Sequence, residues 1–295
     1  MIVCCGEALV DLVPDPVPGG GPFNVAIAAA RLGVPTAFAG PVSTDEYGER
    51  IMAHLLANGV DVTLCPRLDA PTARAIVEHT PHLVFRFEGE GTADTRLERV
   101  ELAPLGDGPH VLHGGTLGLF RGTTAEAVAS AAERHDGLVS LDPNIRPQII
   151  DDRPRWDHFH ERWLTNTAVY KASDEDLAWI WPGREASSLA EQLLADGVGV
   201  VIVTRGSEGL TVHHADGQEQ VPAVPVDVID TVGAGDTIVA TVLASLVEAG
   251  VVDRAGLGAL GGRWWSTVGR RAVTAAAITC GRPGADAPRR HELGW

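Results

Sequence analysis

The sequence predicts an α/β fold with a mostly parallel central sheet. Short apolar runs alternate with helix-patterned stretches along the whole chain, and two of those stretches are followed by glycine, the residue that closes helices in the left-handed conformation. The strand-like runs are residues 2–5, 36–40, 111–113, 137–141, 168–170 and 200–203. Each is short and mostly apolar, the pattern of a strand buried on both faces. The helical patterns are 24–32, 47–58 before Gly59, 123–135, 187–195 and 237–249 before Gly250. One stretch breaks the alternation: residues 73–79 and 83–87 are β-rich and joined by Thr80-Pro81-His82, which reads as a hairpin. A hairpin has no place among parallel strands, so it reads either as a flap over one sheet edge or as a plain antiparallel extension of that edge. No repeat, low-complexity tract or linker divides the chain, so residues 1–295 are expected to form a single domain.

Composition narrows the function. A chain of 295 residues buries roughly three quarters of its unfolded surface and needs no disulfide or metal staple. Its four cysteines, Cys4, Cys5, Cys65 and Cys280, form no CxxC spacing and fit reduced thiols in the cytoplasm. Residues 2–5 are too short for a signal peptide, and no apolar run approaches bilayer length. The net charge of −16, with basic residues scattered, argues against nucleic acid and anionic membranes as partners. Lys171 is the only lysine, and no glycine loop precedes it, which excludes a P-loop. No strand leads into GxGxxG, which excludes a dinucleotide fingerprint.

The chemistry concentrates in Asp230-Thr231-Val232-Gly233-Ala234-Gly235-Asp236, after an alternating approach from residue 221 to 228 that reads as extended. Glycines let the backbone approach a ligand, and the free N–H groups of the following helix can hold an anion. Asp236 at that mouth suits proton removal from a hydroxyl attacking a phosphoryl group. Read alone, the segment is a turn followed by an N-cap aspartate. Asp11 lies just past the first strand, where ligands of open sheets bind. Gly19-Gly20-Gly21-Pro22-Phe23-Asn24 opens a helix, and by itself it is a flexible loop with an Asn cap. Asp142-Pro143-Asn144-Ile145-Arg146-Pro147 follows a strand and is by itself an Asp-Pro turn.

Together these segments resemble the ribokinase-like PfkB carbohydrate kinases over nearly the whole chain. GGGPFNVAIAAARLG and DTVGAGDTIVATVLASL resemble the two family signatures, with STDEYGE, SLDPNIRP, KASDED and VTRGSEGL between them in family order. GEALVDL, SLDPNIRP and AAAITCGRPGADAP look closest to the fructokinase branch. The resemblance implies a three-layer fold with a small β lid over segments 11–20 and 72–92. It further implies a sugar site of Asp11, Gly19, Gly20, Asn24, Asn144 and Arg146, an anion hole of Gly233, Ala234 and Gly235, and Asp236 as base. Ser173, Thr204, Gly206 and Gly209 would border ATP. Asp176 would reach Mg²⁺ through water, and Asp230, the Val232 carbonyl and carbonyls of 280–284 would hold K⁺.

Three departures stand out. Ser173 and Asp176 replace the family's Asn-x-x-Glu. Only residues 12–18 separate Asp11 from Gly19, too short a span for a full hairpin, so the lid is expected to shrink to 73–87 and any homodimer to lack an extensive lid–lid clasp. Arg205 reads as solvated, although phosphate lies within its conceivable reach. His158, His160, His213 and His214 read as surface or loop residues and not as metal ligands, and Trp264 and Trp265 as helix packing. The expected activity is transfer from ATP·Mg to a primary hydroxyl of a keto-sugar, fructose first. The alternatives are 2-keto-3-deoxygluconate, with Arg86 or Arg146 facing its carboxylate, and a non-catalytic sugar- or nucleotide-binding regulator.

Overall fold

A computed structural model describes residues 1–13, 15–79, 83–106 and 108–294. Its main sheet has eight strands in the spatial order Gly217–Val221, Leu210–His214, Val200–Thr204, Val169–Ser173, Leu138–Asp142, Val111–Gly115, Ile2–Cys5 and Thr36–Ala39. The last six in that order are parallel, and the first two add an antiparallel extension. Side chains alternate across each strand, so Ile2 and Cys4 enter one core and Val3 and Cys5 the other. Helices Gly21–Arg31, Glu46–Ala57, Ala234–Glu248 and Gly262–Cys280 cover the first face. Helices Thr124–Arg134, Arg153–Asn166, Asp174–Ile180 and Ala186–Ala195 cover the second, completing the expected three layers. Among the described residues no helix is long and apolar enough to cross a membrane.

All six expected strands and all five expected helices are present, with ends shifted by a few residues. The lid differs. Leu9–Val13 pairs antiparallel with Asp15–Gly19, and Leu9–Val13 also runs parallel to Arg74–His79, which pairs with Leu83–Glu88. The span after Asp11 is therefore long enough for a hairpin, because pairing starts at Leu9 (opposite Gly19), before the aspartate. Pro16 and Pro18 are tolerated because their strand lies at the edge of this four-stranded sheet. The 73–87 segment thus belongs to a lid sheet and does not extend the main one, and the lid is a four-stranded sheet where one reduced to 73–87 was expected. Its Thr80-Pro81-His82 turn lies outside the described residues.

Other elements escaped the sequence. Helix Arg153–Asn166 buries Trp156, Phe159, His160 and Trp163 at helical spacing, so His160 is a core residue, bonded through Nε2 to the Tyr170 hydroxyl at 3.2 Å. His213 and His214 are buried in a strand, while His158 is exposed as expected. Trp265 is buried between helix and sheet. Only Val221 of the supposed extended approach is in a strand; beyond it Val224, Val226, Val228 and Ile229 are exposed.

Candidate active site

The Ile2–Cys5 strand has its first partner in sequence on one side, Thr36–Ala39, and a later strand, Val111–Gly115, on the other. Open α/β sheets bind ligands at such a reversal, beyond the carboxyl ends of the strands. A cleft of about 800 Å³ opens there, beneath the lid sheet. It is lined by Asp11, Gly19, Gly20, Asn24, Asn144, Arg146, Asp230, Val232, Gly233, Gly235 and Asp236, so one cavity gathers residues scattered over the sequence.

Helix Ala234–Glu248 starts after Gly233, whose φ of 77° suits glycine and whose added Cβ would lie 2.5 Å from that of Ala285. Asp236 is thus the third residue of the helix and makes no cap bond. Its carboxylate instead accepts a 2.8 Å hydrogen bond from Asn24 Nδ2 across 212 residues of sequence. Asn24 likewise is no cap: Gly20, with φ of 121°, holds that position, and Asn24 lies in the first turn of Gly21–Arg31. Burial raises Asp236 above the ordinary aspartate range, while the Asn24 bond and the charges of Lys171 and Arg146 pull it back. A buried, basic carboxylate at the mouth of a helix N-terminus can take a proton beside a bound anion.

The rest of the cleft is built from strand ends. Asp11 in the lid is pushed up to about 6 by burial, against the pull of Arg146. Asn144 and Thr116, the non-glycine residues with positive φ among the described residues (40° and 50°), hydrogen-bond to each other at 3.3 Å, Asn144 Nδ2 donating to Thr116 Oγ1. Strain held at a site by surrounding structure is a mark of function. Arg146 Nη1 donates to the side chain of Asn144 at 2.7 Å. The sequence reading missed Thr116, Glu7, Phe87 and Lys171. Glu7 had a legible signal, an acid inside an apolar run directly after a strand. Its Oε1 accepts from Gly21 N at 2.9 Å and its Oε2 from Gly118 N at 2.7 Å, joining the glycine turn to the next strand's loop. Phe87 is backed by Arg121, which lies 4.8 Å over the ring, bonds Asp94 at 2.6 Å and reaches the Gly89 carbonyl.

The residues expected beside ATP lie outside this cleft, on the same carboxyl edge of the sheet. Ser173 and Thr204 end adjacent parallel strands in register. Ser173 also caps helix Asp174–Ile180 in a box with Asp176. Gly206 and Gly209 have φ of 48° and 99° in the turn before Leu210–His214, where a Cβ on Gly209 would strike the Val221 carbonyl at 2.1 Å. Arg205 bonds Thr211 Oγ1 at 3.0 Å and so is not free in solvent. Asp176 accepts from the amides of Ile145 at 2.8 Å and Ser173 at 2.9 Å. Arg86 is exposed, paired with Glu88, and does not line the cleft.

Among the described residues no three His, Cys, Asp or Glu side chains converge as a metal site. Mg²⁺ keeps several waters and leans on substrate phosphates, so single carboxylate oxygens that can receive such a water are the groups that matter. The Asp142 Oδ1 atom, buried without a partner, is an oxygen able to receive such a water. Asp230 accepts from Val232 N at 3.0 Å and Gly284 N at 2.9 Å, tying 230–232 to the 280–284 segment.

A buried carboxylate beside a helix N-terminus, in a cleft beneath a lid sheet, is the arrangement that a phosphotransferase acting on a small hydroxylic substrate needs. The chain belongs to the pfkB family carbohydrate kinases, whose model matches residues 6–292. It is 38% identical over 259 residues to a fructokinase of Rhizobium leguminosarum bv. trifolii, covering 83% of this chain and 79% of the relative. A fructokinase of Klebsiella pneumoniae is 36% identical, covering 84% and 85%. The crystal structure of a Xylella fastidiosa fructokinase with bound ATP superposes with a TM-score of 0.90 at 26% identity, covering 99% and 96% of the two chains. An aminoimidazole riboside kinase of Salmonella enterica gives 0.85 at 26%, covering 99% and 98%.

Proposed function

We propose that this carbohydrate kinase transfers the γ-phosphoryl group of ATP to a primary hydroxyl of a keto-sugar, fructose first, acting in the cytoplasm as one domain. The observation that carries the reading is the buried Asp236 carboxylate, held by Asn24 and opening onto the same cleft as Asp11, Asn144 and Arg146. The side chains of Asp11, Asn24, Asn144 and Arg146, with Gly19 and Gly20, bind and orient the sugar. Asp236 takes the proton of the attacking hydroxyl as its oxygen bonds to the γ-phosphorus and the bond to the bridging oxygen of ADP breaks. The amides of Gly233, Ala234 and Gly235 stabilise the charge on the migrating group. Ser173, Thr204, Gly206 and Gly209 border the nucleotide. Asp176 reaches Mg²⁺ through water, and the metal neutralises phosphate charge when bound. Asp230 and the Val232 carbonyl hold K⁺. The lid sheet excludes water, which would otherwise compete for the phosphoryl group.

The charge of the cleft speaks against a sugar acid. Glu7, Asp11, Asp230 and Asp236 line it with Arg146 as its cation among the described residues. An ATP-consumption screen over ketoses, aldoses, sugar acids and nucleosides, run in K⁺ and in a bulky organic cation, tests the reading. Fructose should turn over fastest and K⁺ should raise the rate. A sugar acid or nucleoside far ahead of fructose would overturn the substrate, and equal rates in both cations would remove K⁺.

A further inference from the structure

Of the 23 basic side chains, one is a lysine, and the fold buries it. In strand Val169–Ser173 the alternation sends Tyr170 and Ala172 into one core, while Val169 packs in the other, on the side covered by helix Ala234–Glu248. Lys171 shares the parity of Val169. Its ammonium sits under the first turn of that helix, where a Cβ added to Gly235 would lie 2.8 Å from Nζ. Nζ bonds Asp142 Oδ2 at 2.9 Å, with both side chains almost wholly buried. A buried ion pair built for stability alone has little reason to exist, because apolar residues of the same volume do as well or better. A cation pressed against the positive end of a helix is further opposed by the dipole. In a chain that otherwise uses arginine for every basic position, the compact ammonium persists where a guanidinium fork would meet Gly235.

We propose that Lys171 is a positioning residue for catalysis: its ammonium, anchored by Asp142 beneath Gly235, is the counter-charge that keeps the Asp236 carboxylate ionised and ready to accept a proton. The inference rests on the reading of Asp236 as the base. Asp142, Asp176 and Asp236 face Lys171 and outweigh the burial that would push its ammonium down, so it stays charged. His113, on the strand beside that of Asp142, is driven down to about 3, by burial first and by Lys171, and so brings no competing charge. Asp236 is faced by Asn24, Lys171, Arg146 and Asp142, and by the thiol of Cys4, which burial keeps protonated.

Two substitutions have opposite expected signs. Lys171→Met removes the counter-charge, so the acid limb of the turnover–pH profile should move up by about one pH unit. Asp142→Asn leaves the ammonium unopposed, so the limb should move down by a similar amount. A structural role would lower turnover or melting temperature in both variants without opposite displacements of the limb. Should Lys171→Met fail to fold, the single lysine supplies a second readout. Protein labelled with ε-¹⁵N-lysine gives one side-chain signal, expected at the ammonium position at pH 8 and displaced in both Asp142→Asn and Asp236→Asn. A neutral amine at pH 8, or a signal indifferent to Asp236→Asn, overturns the proposal. Asp236→Asn separates the two claims. If it abolishes turnover while the Lys171→Met limb stays in place, only the lysine inference falls; if its turnover is near normal, the base reading falls first.

Discussion

Glu7 joins the glycine turn at Gly21 to the loop at Gly118, and it does so as a fully buried carboxylate. Burial raises it from 4.5 to about 7, against three backbone amides that favour its charged form and with a smaller push from Asp94. A folded pKa above the unfolded one means that the native state holds the extra proton between about pH 4.5 and 7, so stability falls as pH rises through that window. With about 1.4 kcal/mol per pKa unit, the cost fully present above pH 7 is roughly 3 kcal/mol. Glu7→Gln removes this dependence, since the amide carries no charge. It also turns an N–H donor toward one of the two glycine amides, at a pH-independent cost of about 1–3 kcal/mol. Urea unfolding of both proteins from pH 4.5 to 8 gives the difference directly, and other titrating groups such as Asp11 cancel in it. The wild type should lose about 3 kcal/mol relative to the variant across the window. Parallel curves would refute the account of Glu7 as a carboxylate raised by burial.

Two further outcomes follow from packing. Arg121→Met strands the Asp94 carboxylate, 1% exposed, so stability should fall by about 3–5 kcal/mol, and adding Asp94→Asn should recover most of it. Denaturant unfolding reads this, and the sugar KM should rise as Phe87 loses its backing. Gly21→Ala places a methyl 2.1 Å from Thr116 Oγ1, on a backbone already strained. It should cost about 1–3 kcal/mol and raise the sugar KM well above any change in the ATP KM, measured by melting and steady-state kinetics.

The parallel strands were legible because each is apolar on both faces and flanked by helical periodicity. The lid hairpin was not, since Pro16 and Pro18 argue against a strand until its place at a sheet edge is known. Helix Arg153–Asn166 hid behind arginines, histidines and tryptophans, although its buried positions keep helical spacing. Of the site, the glycine-rich segments and Asp236 announced themselves by motif. The partners that make them work did not: Asn24 reaches Asp236 from 212 residues away, and Thr116 and Lys171 depend on which strands the sheet sets side by side. Local readings as caps failed for both Asn24 and Asp236, because each side chain turns toward the other and away from its own helix start.

The central claim is that Asp236 is the base. Asp236→Asn keeps the side-chain volume and an oxygen for Asn24 Nδ2, and it removes a carboxylate whose burial is costly, so the melting temperature should hold or rise slightly. The proton acceptor is gone, and general-base catalysis contributes about 10²–10⁴-fold. Turnover with saturating sugar and ATP should therefore fall on the order of 10² or more, while ATP affinity holds or improves as a negative charge leaves the phosphate site. Near-normal turnover in a folded Asp236→Asn protein would contradict the mechanism.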